Sequence, residues 1–289
     1  MLHTIQNDQL AVRIDSMGAE LVSVRRGDCE YIWQGDPALW ADHSPLLFPI
    51  CGRLFGGSYT YDGKTYSMEP HGFARLMPFE TVTKTDDRLV LGISATEQTR
   101  EIYPFEFELT AEYRLTGNRL LNRVTIRNTG DRILPATFGG HPGIRVPLDG
   151  GSFEDYYIEF GEECSPDMLI LSDACLNTGK KQGLPLKDGR ILPLRHDLFD
   201  RDAVFMSRMA DRATLKSEKS ERSVSMYYPD MPYFGLWHAS RTEAPYVCME
   251  PWCGLPSYEG ETDGLEQKND MFRIPAGSEK TVFFEMTFQ

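Results

Sequence analysis

The sequence predicts an all-β fold, a large antiparallel β-supersandwich with few short helices. Three observations point there. Apolar residues alternate with polar ones along most of the chain, turn signals recur between the alternating runs, and helical spacing of apolar residues is nearly absent. Many short strands at such spacing make a sandwich or barrel rather than an α/β domain.

The runs follow one another from the N-terminus. Leu10, Val12 and Ile14 place three apolar side chains on one face of an extended segment. Tyr59-Thr60-Tyr61-Asp62-Gly63-Lys64-Thr65-Tyr66 reads as a hairpin closed by a tight Asp-Gly turn. Leu89, Leu91 and Ile93 form the next alternating run, and Phe105, Phe107, Leu109, Ala111, Tyr113 and Leu115 form the longest. Val224, Met226 and Tyr228 repeat the pattern, and Val282, Phe284, Met286 and Phe288 close the chain with it. Gly56-Gly57, Thr116-Gly117-Asn118, Thr129-Gly130-Asp131, Asp149-Gly150-Gly151, Asp188-Gly189 and Ala276-Gly277 punctuate the runs. Residues 150–220 are the least regular part. They are polar and charge-rich, with Lys180-Lys181 and the stretch from Lys216 to Glu221, and predict long loops over a sheet. No repeat or Pro/Ser-rich linker divides the chain, so residues 1–289 are expected to form a single domain.

Composition limits the partners. Hydrophobic residues at 41% and charged residues at 25% are ordinary for a globular protein. The 43 acidic against 30 basic residues give a net charge of −13, which repels phosphate backbones and argues against a nucleic-acid partner. The chain opens without a basic segment followed by an apolar run, and no stretch approaches the ~18 apolar residues of a membrane span. A cytoplasmic protein with no membrane partner is the expectation. Cys29, Cys51, Cys164, Cys175, Cys248 and Cys253 are too sparse for a disulfide scaffold and are expected as free thiols. Cys248, Cys253 and His238 could be imagined around zinc, but the C-x4-C spacing has no second ligand pair, and no metal site is expected.

Four segments read as neither plain strand nor turn. Ser44-Pro45-Leu46-Leu47-Phe48-Pro49-Ile50-Cys51-Gly52-Arg53 ends an apolar run in a guanidinium. Pro70-His71-Gly72-Phe73-Ala74-Arg75 and Phe138-Gly139-Gly140-His141-Pro142-Gly143 each aim an imidazole from a Gly- and Pro-constrained backbone. Val247-Cys248-Met249-Glu250-Pro251-Trp252 sets a Glu inside an otherwise apolar strand end, next to a Trp. Each alone has an ordinary explanation. A His beside Gly is usually a hydrogen-bonded turn residue, a Glu in an apolar run a strand-edge or salt-bridged group, and Trp33, Trp40, Trp237 and Trp252 core residues. Together they are the parts of a sugar pocket that does proton chemistry. Aromatic faces cover the C–H side of a pyranose, Arg and Asp hold hydroxyls, and a desolvated Glu works as a base beside a His acid.

The four motifs, in this order, resemble those of the aldose 1-epimerase (galactose mutarotase) family, nearest its bacterial LacX-like branch, over residues 5 to 288. The resemblance implies a β-supersandwich that interconverts the α and β anomers of a small-molecule aldose, with no cofactor, metal or covalent intermediate, as a monomer or homodimer. It implies Glu250 as the general base at the C1 hydroxyl and His141 as the general acid at the ring oxygen. His71 would hydrogen-bond near that oxygen, and Arg53 would hold a hydroxyl. The family's hydroxyl-binding Asp falls in Leu198-Phe199-Asp200-Arg201-Asp202-Ala203-Val204-Phe205, where Asp202 is favoured over Asp200. Trp237 and Trp252 are the aromatic candidates for substrate binding. Rival functions are an epimerase of hexose 6-phosphates, which needs an Arg/Lys cluster, and a non-catalytic carbohydrate-binding protein on the same fold. A glycoside hydrolase would usually need two carboxylates rather than one Glu with two His. His3, His43, His196 and His238 are left without a catalytic role.

Overall fold

The alternating runs become strands because one face of each is apolar enough to be buried. In Phe107–Thr116, Phe107, Leu109, Ala111, Tyr113 and Leu115 are buried, while Arg114 and Thr116 are exposed. This strand pairs antiparallel with Arg88–Ser94 on one side and Arg119–Asn128 on the other, and Arg119–Asn128 pairs in turn with Glu279–Phe288. The computed structural model, which describes residues 1–289, extends this set into a nine-stranded sheet.

A second, eight-stranded sheet runs from Asn177–Gly183 through Asp167–Leu171, Val204–Ser207, Tyr233–Trp237 and Tyr246–Trp252 to Gly139–Gly140 and Leu46–Leu47. Gly143–Arg145 also pairs with Tyr246–Trp252. The two sheets share one apolar cluster of 67 buried residues that spans Ile5 to Phe288. They approach closely at Gly140, where a Cβ would meet the Phe284 ring at 2.6 Å. A four-stranded sheet from Leu2–Gln6 to Cys29–Glu30 opens the chain. The only α-helix, Glu97–Ile102, starts at a capping box between Thr96 and Thr99, and short 3-10 turns make up the remaining helical structure.

The Tyr59–Tyr66 hairpin forms as expected. Tyr61 pairs with Lys64 across Asp62 and Gly63, both at positive φ, as a two-residue turn with the strands' own twist requires. The expectation of long loops between residues 150 and 220 is corrected. This region supplies Tyr156–Phe160, Ile191–Pro193 and Arg212–Ser217 to the nine-stranded sheet and Asp167–Leu171, Asn177–Gly183 and Val204–Ser207 to the eight-stranded one. The reason is visible in Asn177–Gly183, an edge strand with five consecutive exposed residues. An edge strand buries too little to need alternation, and charged side chains suit it. All six cysteines are free thiols. No helix is long and apolar enough to cross a membrane.

Candidate active site

The site is built on Tyr246–Trp252, whose seven residues are all buried in the interior of the eight-stranded sheet. Period-two alternation puts Tyr246, Cys248, Glu250 and Trp252 on one face. On one side the strand pairs with Tyr233–Trp237, Gly235 lying opposite Glu250. On the other it meets a segment that pairs at Gly139↔Trp252 and again at Gly143↔Cys248. Continuing that register places His141 across from Glu250. The segment leaves the ladder at His141-Pro142, although Met249 N–H still donates to Pro142 O at 3.0 Å. Gly139 has no room for a side chain, since a Cβ would come 2.7 Å from Trp252 Cδ1 and 2.9 Å from Cys51 Sγ. The Gly-Gly-His sequence is therefore a packing requirement that delivers an imidazole to a carboxylate.

His141 Nε2 lies 3.3 Å from Glu250 Oε2, with both side chains nearly closed to solvent. His71 stands edge-on to His141, ring centroids 5.8 Å apart. Its backbone has φ 67°, and Gly72, at φ 73°, leaves no room for a Cβ, which would fall 2.2 Å from Phe48 O. The Gly52 N–H donates to His71 Nδ1 at 3.2 Å. That bond leaves the proton of a neutral His71 on Nε2, which makes Nε2 a donor.

Arg53, exposed, follows Gly52 on the same loop. Asp202 has φ 92°, a strained value for a non-Gly residue, and such strain persists only where the surroundings hold it. Trp237 Nε1–H donates to Asp202 Oδ1 at 2.8 Å. Trp252, only 2% exposed, lies against Phe205 at 4.3 Å and His71 at 5.5 Å, and so forms part of the floor.

One cleft of about 240 Å³ is lined by Arg53, His71, His141, Asp202, Trp237, Glu250 and Trp252 together. It is smaller than the ~300–1,000 Å³ typical of drug-sized pockets, a scale that suits a small ligand. Asp200 is exposed and outside the lining. The lining also includes residues that the sequence reading did not assign to the site, among them Trp40, Arg75 and Cys175. Trp40 lies 5.1 Å from His141 and 5.5 Å from Trp237, ring to ring. Arg75 stands in the same motif as His71, four residues on, which was a usable signal, whereas nothing around Trp40 or Cys175 marks them.

Burial governs the electrostatics. It pushes the Glu250 carboxyl well above the usual carboxylate range, and the charge of Asp202 adds to the effect. It pulls His141 down to about 4. His71 is held well below the usual imidazole range by burial, then by His141, Arg75 and Arg53. Burial therefore favours one proton shared by the pair, with neither group charged. Glu250 Oε1, His141 Nδ1, Trp252 Nε1 and Arg75 Nε are buried without a hydrogen-bond partner. Such atoms are costly unless something supplies the missing bonds.

The Cys248, Cys253 and His238 trio does not assemble as a donor set. His238 is engaged by His196 and Ala239 instead. The donor atoms that do lie together are those of His141, Cys248 and Glu250, within 4.8 Å of one another and close enough to share a divalent ion.

Residues 1–258 match the family model described as Aldose 1-epimerase. The chain belongs to the aldose 1-epimerase family. It is 30% identical over 281 residues to the chromosomal LacX protein of Lactococcus lactis subsp. lactis, covering 93% of each chain. Among solved structures it resembles a galactose mutarotase related enzyme from Lactobacillus acidophilus, with a TM-score of 0.96 and 34% identity over 100% of this chain and 97% of that one. It also resembles a galactose mutarotase-like protein from Lactobacillus casei ATCC 334, with a TM-score of 0.94 and 30% identity over the whole of both chains. The all-β architecture is thus the one shared by galactose mutarotase-like structures.

Proposed function

We propose that this family member is a mutarotase, which opens and recloses the ring of an aldose to exchange its α and β anomers. The observation that carries the proposal is the 3.3 Å contact between His141 Nε2 and Glu250 Oε2, inside a cleft that also holds His71, Arg53 and Asp202. In a hemiacetal the C1 hydroxyl and the ring oxygen are bonded to the same carbon. A base and an acid already in contact can therefore address both.

Glu250 takes the proton from the C1 hydroxyl. The C1=O bond forms, the bond from C1 to the ring oxygen breaks, and the electron pair on that oxygen takes the proton of His141. Rotation about C1–C2 turns the other carbonyl face, and the reversed transfers close the ring. No proton is gained or lost overall. The roles require the shared proton to lie on His141 when the ring opens. Sugar hydroxyls favour this by bonding Glu250 Oε1 and the other unpartnered atoms, which replaces the solvation that burial removed. His71 Nε2–H adds a donor near the ring oxygen, while Arg53 and Asp202 hold hydroxyls. Each positioned proton-transfer group contributes ~10²–10⁴-fold.

A second reading, an epimerase of hexose 6-phosphates, is favoured by one observation. Arg53 and Arg75 both line the cleft, and Arg75 Nε has no partner. Asp42, 3.8 Å from Arg75, and Asp202 weaken it by countering the positive charge. A cytoplasmic location fits either reading and suits six free thiols. An anomer-exchange NMR panel of free and 6-phosphorylated aldoses tests both. Acceleration of free hexoses supports the first, acceleration confined to 6-phosphates supports the second, and none for any aldose rejects both.

A further inference from the structure

Two of the histidines left without a role form a pair behind the cleft. His238 follows Trp237 at the end of Tyr233–Trp237 and is fully buried. His196 opens the short turn His196–Phe199, and Asp202 lies six residues further on. His196 Nδ1 and His238 Nε2 are 3.0 Å apart, and His238 Nδ1 lies 2.9 Å from Ala239 O. A carbonyl only accepts, so His238 Nδ1 carries a proton, and in the neutral ring Nε2 is the acceptor. The hydrogen bond therefore runs from His196 Nδ1–H to His238 Nε2. Phe153 stacks on His196 at 4.1 Å, and Phe199 packs on His238 at 4.3 Å.

This bond joins the two segments that must meet in the cleft. Val204–Ser207 and Tyr233–Trp237 are paired up to Val204↔Leu236. Asp202 and Trp237 lie just beyond that last pair, where the backbone ladder no longer sets their separation. Asp202 is also in the left-handed region, at φ 92°. The Asp202 N–H bond to Phe199 O, at 3.0 Å, and the Trp237 indole bond to its carboxylate, at 2.8 Å, hold it locally, with the Cys175 thiol against the same carboxylate. Trp237 in turn stands edge-on to His141 at 5.7 Å.

We propose that His196 and His238 are positioning residues, whose hydrogen bond clamps the turn carrying Asp202 to the strand end carrying Trp237 and so presets the hydroxyl-binding side of the cleft. An apolar pair could fill the same space. An imidazole pair is directional and fixes how the two segments meet. The inference rests on the mutarotase reading for its kinetic consequence, but its structural consequence can be measured without activity.

The test compares His196→Leu, which removes the donor, with His196→Asn, whose amide nitrogen can occupy the Nδ1 position. Two readouts are taken: anomer exchange of D-glucose and D-galactose, and the indole N–H resonance of Trp237, assigned with Trp237→Phe. In His196→Leu, KM rises about fivefold with kcat held within about twofold, because ground-state and transition-state binding are lost together. The Trp237 indole resonance moves toward that of a free indole. His196→Asn returns both readouts to near wild type. A His196→Leu protein that melts earlier but keeps KM and the Trp237 resonance unchanged overturns the proposal and makes the pair mere packing. Should His196→Leu fail to fold, His196→Gln, whose amide reaches past the Nδ1 position, takes its place with the same expected outcomes. A moved indole resonance in a protein that accelerates neither sugar would reject the mutarotase reading for these sugars and leave the clamp standing.

Discussion

In the nine-stranded sheet, Phe107–Thr116, Arg119–Asn128 and Glu279–Phe288 are each ten residues long and pair in unbroken register. In the eight-stranded sheet, Tyr246–Trp252 is met on one side by two short segments, Gly139–Gly140 and Gly143–Arg145, with His141 in the gap between them. Their polar groups differ in the same way. The carboxylate of Glu112 bridges Arg88 at 2.7 Å and Arg123 at 3.3 Å on the first sheet. Of the eight buried polar side-chain atoms without a partner, only Asn122 Oδ1 belongs to the nine-stranded sheet, whereas four line the cleft. One sheet satisfies its groups internally and supplies a scaffold. The other leaves bonds unmade at the place where a hydroxyl-rich ligand could make them. Unsatisfied buried groups destabilise, so the difference is expected where binding has been favoured over stability.

Substitutions on each side can break or sharpen that contrast. The largest stability effect belongs to the scaffold. Ile126→Ala, at a fully buried position of the nine-stranded sheet, should cost ~2–5 kcal/mol in denaturant unfolding, yet leave kcat of the folded protein unchanged. A drop in kcat with little loss of stability would blur the division between the sheets.

On the site side, Trp237→Phe removes the N–H that bonds the Asp202 carboxylate. Hydrogen bonds to charged groups contribute ~1.5–3 kcal/mol to stability, so the variant should melt earlier, and KM should rise several-fold because the Asp202 carboxylate is no longer held in place.

Glu250→Gln should stabilise the protein by about 1 kcal/mol while losing most of any catalysed anomer exchange. The sign follows from the raised carboxyl. A group whose folded-state pKa exceeds its unfolded value contributes stability below the unfolded value and loses it as pH rises through the folded one. Gln has no such loss, so its advantage should grow as pH rises from about 4, near the unfolded carboxylate value, to about 7 in thermal melts. A constant or shrinking advantage would mean that the carboxyl is not held neutral by burial.

The smallest effect is kinetic. With His141 pulled down to about 4, the pair does not take up a second proton between pH 7 and pH 5. The catalysed rate, after subtraction of spontaneous exchange, should change by less than about twofold over that range. A fall centred near the ordinary imidazole value would place His141 in a more solvated setting.

Much of this contrast was legible in the sequence. The scaffold strands showed as alternation because each has one buried face, as in Leu89, Leu91 and Ile93. The alternating run begins at Phe105, one alternation ahead of the strand itself. Phe105 is buried, but the strand begins at Phe107. The site motifs showed as misplaced residues, a Glu in an apolar strand and two His between Gly or Pro. The family resemblance supplied their proposed roles. Strands such as Asn177–Gly183 were missed because they lie at an edge and carry no pattern. Trp40 and Cys175 were missed as cleft residues because their place there depends on tertiary contacts, and His196 and His238 because two histidines 42 residues apart do not announce a hydrogen bond.

The central claim is that the contact between Glu250 and His141 performs the proton transfers of ring opening. Anomer-exchange NMR on wild type and Glu250→Gln, at equal concentration and with the fold checked by circular dichroism, tests it most directly. Wild type should accelerate the exchange of at least one aldose, and Glu250→Gln should lose ~10²–10⁴-fold of that acceleration with an unchanged spectrum. A folded Glu250→Gln protein that exchanges anomers as fast as wild type would contradict the account.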